Sequence, residues 1–237
     1  MKHSLLIGIA LVSLGACKKS PIERTQDAAN PTALGGFGVA STYRIFSNEL
    51  MTGGGAFEYP GGENQSLDFT DRSNPLSNRS IRYHWTGAPA DPSNNGGFAG
   101  FDLMHVPTLP QYAGTPGRDL SAAGYTKATF YARGSLSTNT VLKIEVADDG
   151  NGGVTPPCLT LSTDGTDNAC GGGSEAPQRL TSDWRQYTIN IPNNTYLAAV
   201  KDFFKATFVY NFPLGGLPGE APGQGGTVYF DHIQYEP

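Results

Sequence analysis

Gly225-Gly226-Thr227-Val228-Tyr229-Phe230-Asp231-His232-Ile233-Gln234-Tyr235 reads as a glycine turn opening into a strand at the end of the chain. Val228, Tyr229, Phe230, Ile233 and Tyr235 are the β-branched and aromatic side chains that fit a pleated, half-buried surface. Strict alternation sets Tyr229, Asp231, Ile233 and Tyr235 on one face. A carboxylate in that company has to be paired, hold a metal, or be displaced by a bulge, because an uncompensated charge among apolar groups is costly. The stretch therefore predicts a closing strand with one irregular point, at Asp231.

Working outward from this strand, the same two-residue period recurs along the chain. Tyr43 to Leu50 predicts a first strand, ended by Gly53-Gly54-Gly55, and Gln65 to Thr70 a short second one. In Asn78 to Trp85, Ile81, Tyr83 and Trp85 face one way and Arg82 and His84 the other. Gly96 to Met104 sets Ala99, Phe101 and Leu103 inward, with Phe98 and Asp102 outward. Lys127 to Gly134 places Ala128, Phe130 and Ala132 inside and Tyr131 and Arg133 outside. Val141 to Asp148 turns Lys143 and Glu145 out, Ser182 to Ile191 turns Tyr187, Ile189 and Ile191 in, and Lys205 to Phe212 is one more strand. Residues 107–117, 149–176 and 213–226 read as loops, and 197–204 as a helical turn or two. No long helix, repeat or coiled coil interrupts the pattern, so the fold class is all-β, an antiparallel two-sheet β-sandwich.

The N-terminus has a different character. Met1-Lys2-His3 is basic, Leu5 to Leu14 is apolar, and Leu14-Gly15-Ala16-Cys17 ends in small residues before a cysteine. This is the pattern of a secretion signal of a bacterial lipoprotein, and it predicts cleavage before Cys17 and lipidation of that thiol. Lys18 and Lys19 follow where an Asp is absent, which favours export to the outer membrane, facing the periplasm or the exterior. The expected divisions are 1–16 for the signal, 17–40 for the lipidated Cys and a disordered Ala/Pro/Gly/Thr tether, and 41–237 for the sandwich. The remaining cysteines, Cys158 and Cys170, are expected to form a disulfide in that oxidising compartment.

Composition limits the partners. Sixteen basic residues against 21 acidic ones give a net charge of −5, with no basic run, which argues against nucleic acid. Charged residues make up 16% of the chain and glycines number 31, a composition suited to a turn-rich β protein.

The closing strand resembles that of jelly-roll carbohydrate-binding modules of the galactose-binding-domain-like type. Further segments fit in the same order: Phe46-Ser47-Asn48-Glu49-Leu50, Gly97 to Leu103, Asp119-Leu120-Ser121, Phe130-Tyr131-Ala132-Arg133-Gly134, and Asp183-Trp184-Arg185-Gln186-Tyr187-Thr188-Ile189. The resemblance covers about Tyr43 to Glu236. It implies a jelly roll with glycan bound on one sheet face or at the loop rim, and a structural calcium held by Asp231 with Asn48. Asn48 stands where such modules often carry an acid, and Asp231 reads equally well as a capped or salt-bridged carboxylate near a sheet edge.

Sugar recognition needs flat aromatic faces and planar polar groups for hydroxyl pairs. The candidate glycan-binding set is Arg82, His84, Phe98, Asp102, Tyr131 and Arg133, and its Arg residues would equally suit the carboxylate of a uronic acid. Trp85 reads as core, the alternative being a stacking platform at a strand end. Catalysis finds less support: His84, His105 and His232 show no metal spacing, and neither a Gly-x-Ser-x-Gly elbow nor a phosphate-cradling loop occurs. Carboxylates that would have to meet for glycoside hydrolysis are Glu58, Asp102, Glu145 and Glu220. The expected function is non-catalytic glycan binding. The alternatives are a structural or adhesion lipoprotein that binds protein, and a jelly-roll polysaccharide lyase or hydrolase.

Overall fold

A computed structural model of the protein describes residues 41–59, 65–75, 77–86, 98–137, 140–152, 154–171, 175–210 and 225–237. The expected signal, Cys17 and the tether lie outside the described residues, as does Glu220.

Among the described residues, twelve strands form two sheets. The front sheet runs β10 (Arg185–Asn190), β6 (Lys127–Leu136), β12 (Gly226–Glu236), β4 (Ser80–Trp85), β3 (Gln65–Asp71), with β1 (Tyr43–Phe46) also on β12. The back sheet runs β2 (Gly55–Tyr59), β5 (Phe98–Met104), β11 (Asp202–Tyr210), β7 (Thr140–Asp148), β8 (Cys158–Ser162), β9 (Gln178–Arg179). Every pairing is antiparallel except that of β8 with the two-residue β9. From β4 to β7 the chain alternates between sheets, and β10, β11 and β12 alternate again. The architecture is the two-sheet β-sandwich that the alternation predicts.

The inward sets interdigitate between the sheets. Phe101 and Phe204 from the back sheet meet Phe130 and Phe230 from the front in edge-to-face contacts with centroids 5.2 Å (Phe130 to Phe204), 5.4 Å (Phe204 to Phe230) and 5.7 Å (Phe101 to Phe230) apart. Such offset ring pairs contribute about 1 kcal/mol each beyond their burial. Trp85 is core, stacked on Phe208 at 5.7 Å. Tyr235 is wholly buried, and its hydroxyl donates to the Phe203 carbonyl (2.7 Å) and accepts from the Ala147 N–H (3.0 Å).

The irregular point in the closing strand is a bulge. Pairing with β6 shifts between Asp231 and Gln234, and His232 takes a φ of 48°. The bulge changes the phase of the strand: Val228 and Phe230 point in ahead of it, Ile233 and Tyr235 after it. Asp231 thus shares the outward side with Tyr229 and leaves the inward side to Ile233 and Tyr235, which resolves the misfit seen in the sequence.

Three segments differ from expectation. Residues 197–204 hold only the end of a 3-10 turn, Asn194–Leu197, because Asp202 already opens β11 with a bulge that turns both Phe203 and Phe204 inward. The Pro-rich 107–117 stretch contains a short helix, α1 (Leu109–Gly114), with Pro110 in its first turn, where a missing N–H costs nothing. The 149–176 stretch contains β8, all five residues of which are buried. The disulfide between Cys158 and Cys170 (Cα atoms 5.7 Å apart) pins the returning segment over the outer side of β8, and Ala169 N–H donates to Thr160 Oγ1 (2.9 Å).

Candidate functional site

The registers divide the six candidate residues between opposite faces of the sandwich. Arg82 and His84 on β4 and Tyr131 and Arg133 on β6 lie on the outer face of the front sheet. Phe98 and Asp102 on β5 lie on the outer face of the back sheet. The six candidates therefore do not share one sheet: β5 pairs with β2 and β11 and meets β4 only through the core, where Phe101 packs on Tyr83.

On the back sheet, Phe98 and Asp102 belong to a larger set. Reading across the strands, one outward row is Phe57, Asp102, Lys205, Glu145, and the next is Tyr59, Gly100, Thr207, Lys143. Asp202 and Asp148 face each other one step further along. Phe57, Tyr59 and Phe98 form a run of rings at the β2/β5 edge, with centroids 6.2 Å and 6.3 Å apart. Phe98 is 52% exposed. Tyr59 lies across Gly100: a Cβ there would come within 2.6 Å of the ring, so a bare position is what seats the platform. The Tyr59 hydroxyl meets Thr207 Oγ1 at 2.6 Å, and the Lys205 ammonium sits 5.6 Å from the ring centre.

The carboxylates of this face are held against their preference. Burial first, and then the Asp202 charge, push the Asp102 carboxyl up to about 7. Burial and the Asp148 charge push Asp202 up to about 6, against the Tyr112 hydroxyl on α1, which donates to Asp202 Oδ2 at 2.7 Å. Oδ1 of Asp102 and Oδ1 of Asp202 are buried with no hydrogen-bond partner. Burial opposes the charge on Lys205, yet Asp102 and Glu145 raise its pKa. The arrangement presents buried acceptor oxygens beside a partly exposed aromatic edge. Of the acids considered for hydrolysis, Asp102 and Glu145 share this face on either side of Lys205. Glu58 lies instead on the inward side of the β2 edge, where burial raises its pKa.

Asp202 escaped the sequence reading because residues 197–204 read as a helical turn, Lys205 because it only opens an expected strand, and Phe57 and Tyr59 because β2 did. Its polarity is inverted, with Glu58 on the inward side and Phe57 and Tyr59 outward. The alternation of Phe57-Glu58-Tyr59 after the glycines was the available signal.

On the front sheet the guanidinium of Arg133 lies 4.4 Å from the Tyr229 ring centre and 5.4 Å from that of Trp184. Tyr229 pairs in register with Arg82 on one side and Arg133 on the other. His84 Nδ1 is 2.8 Å from Thr227 Oγ1, and Tyr131 meets His232 edge-on at 6.0 Å.

The two positions expected to hold calcium both tie down the segment after β3. Asp231 is fully buried, and its carboxylate accepts from Asn74 Nδ2 (2.5 Å), the Ser77 hydroxyl and the His232 N–H (2.7 Å). Burial alone would raise the Asp231 pKa, but the His232 imidazole, 3.0 Å from Oδ1, and then the Ser77 and Asn74 bonds lower it. Asn48, at a φ of 70°, accepts from the Asn78 and Arg79 N–H groups at 2.7 and 3.2 Å. Calcium takes six to eight oxygens. Here one carboxylate and one amide oxygen are both engaged by donors, and no cluster of three His, Cys, Asp or Glu suited to a metal occurs among the described residues. The oxygens present do not fit a calcium shell, and the geometry is that of a capped carboxylate.

No family model matches the chain, and no curated protein matches it. Similar solved structures include the family 11 carbohydrate-binding module from Clostridium thermocellum in complex with a β-1,3-1,4-mixed-linked tetrasaccharide, at 13% identity and a TM-score of 0.39, covering 82% of this chain and 94% of that one. The family 30 module of a cellulosomal cellulase of Clostridium thermocellum is similar at 14% identity and 0.41, covering 83% and 97%. The extra C-terminal domain of an exo-1,3/1,4-β-glucanase from a Pseudoalteromonas species is similar at 8% identity and 0.46, covering 82% and 91%.

Proposed function

We propose that the outer face of the back sheet binds a neutral polysaccharide or oligosaccharide without chemical change. Phe57, Tyr59 and Phe98 serve as the stacking edge, and the partly exposed Asp102 carboxylate accepts a hydrogen bond from a sugar hydroxyl. The observation that carries this reading is the exposed Phe98 ring, in a run with Tyr59 and Phe57, on the same face as the Asp102 carboxylate oxygens. Sugars bring apolar C–H patches and hydroxyl donors together, whereas an apolar partner would leave those oxygens bare. The acids of this face, Asp102, Asp148, Asp202 and Glu145, stand against Lys143 and Lys205, so the face offers an acidic polymer no excess of cations.

The test is affinity electrophoresis through gels containing a panel of neutral polysaccharides. Retardation by at least one, abolished in Phe98→Ala and in Asp102→Asn at unchanged fold, is the expected result. Free mobility in all of them overturns the reading. Raised carboxyl pKa values at Asp102 and Asp202 are also what an acid–base pair of a hydrolase needs. Release of reducing ends from a retained polymer would establish that second reading in place of the first. The adhesion alternative calls for a broad apolar patch, whereas the large exposed apolar side chains among the described residues, Phe98, Leu109 and Val154, are scattered. The lipobox-like Leu14-Gly15-Ala16-Cys17 supports a role at the cell envelope, with the module held to a membrane through Cys17.

A further inference from the structure

The front sheet carries a second, differently charged surface that the reading above does not use. Its central outward row is Asp68, Arg82, Tyr229 and Arg133 in register, with Trp184 beyond. Arg133 is fixed in this row by rings rather than by a counter-ion. Its guanidinium lies over Tyr229, and Trp184 meets Tyr229 edge-on at 6.5 Å, making a corner in which the cation sits. Ring contacts of this kind hold a cation by about 0.5 to 2 kcal/mol. The ion pairs among the described residues are Lys127 with Glu236, Lys143 with Glu145 and His232 with Asp231, and neither Arg82 nor Arg133 enters one. The Asp71 carboxylate, close enough for its pKa to respond to Arg133, is engaged by Ser73 and Ser80. Arg133 Nε and Trp184 Nε1 are buried donors without partners.

An unpaired guanidinium held flat by aromatic rings is a pre-organised fork, and the group such a fork matches is a planar or tetrahedral oxyanion taken by two parallel N–H bonds. Arg82, opposite Asp68 and without a ring contact of its own, stands on the other side of Tyr229, so the row offers a second cation about 10 Å away across three strands. A row of this length, with the Trp184 ring at its end, suits oxyanions repeated along an extended sugar polymer better than a single free ion.

We infer that the outer face of the front sheet is a second binding site, for the carboxylate or sulfate groups of an acidic polysaccharide, with Arg133 as its principal recognition residue and Arg82 as its second cation. Because the chain as a whole carries a net charge of −5, general attraction to polyanions is disfavoured, and binding reports the local site.

The experiment is affinity electrophoresis of the full domain through dextran, carboxymethyl dextran and dextran sulfate, which share one backbone and differ in the oxyanion. Retardation by one or both charged polymers and not by dextran is expected, the responding polymer identifying carboxylate or sulfate. Arg133→Gln and Arg133→Lys are expected to weaken it about ten-fold, a change of about 1.4 kcal/mol, and Arg82→Gln by less. The Lys variant keeps the charge and loses the fork, so its defect separates bidentate recognition from charge alone. Phe98→Ala on the opposite sheet leaves the effect intact, so the outcome is independent of the proposed neutral site. Melting temperatures within about 2 °C of the parent confirm that the variants fold, since surface changes are usually within about 0.5 kcal/mol. Equal retardation of parent and Arg133→Gln, full retardation of Arg133→Lys, no retardation at all, or release by free sulfate at matched sulfate concentration overturns the inference.

Discussion

Asp102→Asn exchanges a buried carboxyl for a side chain of the same shape that never ionises, and the structure sets both the sign and the size of its effect. The Asp102 carboxyl is displaced from its ordinary 3.8 to about 7. A folded-state pKa above the unfolded one means that the folded protein binds more protons than the unfolded chain between those values. Its contribution to stability is therefore present at about pH 4 and is lost as pH rises towards 7 and beyond. At about 1.4 kcal/mol per pKa unit, the displacement amounts to at most about 4 kcal/mol at pH 8. Roughly half of that is expected on substitution, because Lys205 loses an opposing charge when Asp102 is neutralised. With about 2 to 4 °C per kcal/mol for a domain of this size, Asp102→Asn should melt about 4 to 8 °C above the parent at pH 8. At pH 4 the two should melt together. Thermal melts of both proteins at half-unit steps of pH measure the difference directly and cancel the titrating groups that do not interact with Asp102. A difference that is flat with pH, or a variant less stable than the parent at pH 8, would falsify the placement of Asp102 as a buried, under-bonded acid. Loss of glycan retardation alongside this gain in stability is the signature of a binding group rather than a structural one.

Other expectations follow from single contacts. Gly100→Ala should drive the Tyr59 ring off the sheet, because its Cβ would meet that ring and the Ala206 carbonyl at 2.6 Å; near-ultraviolet circular dichroism and loss of glycan retardation report it. Asp231→Ala removes the carboxylate that Asn74 Nδ2 and Ser77 donate to and should cost about 2 to 3 kcal/mol in urea unfolding, whereas a chelator leaves the parent's transition unchanged. A chelator-induced fall of several degrees would instead restore calcium to Asp231 and Asn48. Reduction of the Cys158–Cys170 bridge, which spans 12 residues, should lower stability by about 3 kcal/mol at constant pH. In a bacterial host, metabolic labelling with a fatty acid should mark the parent protein and not Cys17→Ala.

The period-two pattern carried most of the fold because the core is built from strands with clean inward sets, such as Ile81, Tyr83 and Trp85 or Leu142, Ile144 and Val146. It failed where polarity is inverted or both sides are covered. Strand β2 turns Phe57 and Tyr59 outward and Glu58 inward, and β8 is buried on both sides, by the core and by the disulfide-pinned segment. Which sheet each strand joins was not legible. Alternation assigns a side chain to a face of its own strand, while the partner strand depends on crossings between layers. For that reason Asp102 and Phe98 were grouped with Arg82 and Arg133, which lie on the other side of the core. The bulge at His232 was foreseeable as one of the ways to accommodate Asp231, since a carboxylate out of phase with its neighbours demands some local remedy. The short proline-started helix α1 was hidden because Pro110 reads as a loop residue unless its place in a first turn is known.

The location of the neutral-sugar site is tested most directly by hydroxyl-radical footprinting of the domain with and without a neutral polysaccharide that retards it. Protection concentrated on Phe57, Tyr59 and Phe98, with Trp184 and Tyr229 unchanged, is the predicted result. Protection confined to Trp184 and Tyr229, leaving the back-sheet rings as reactive as in the free protein, would contradict it.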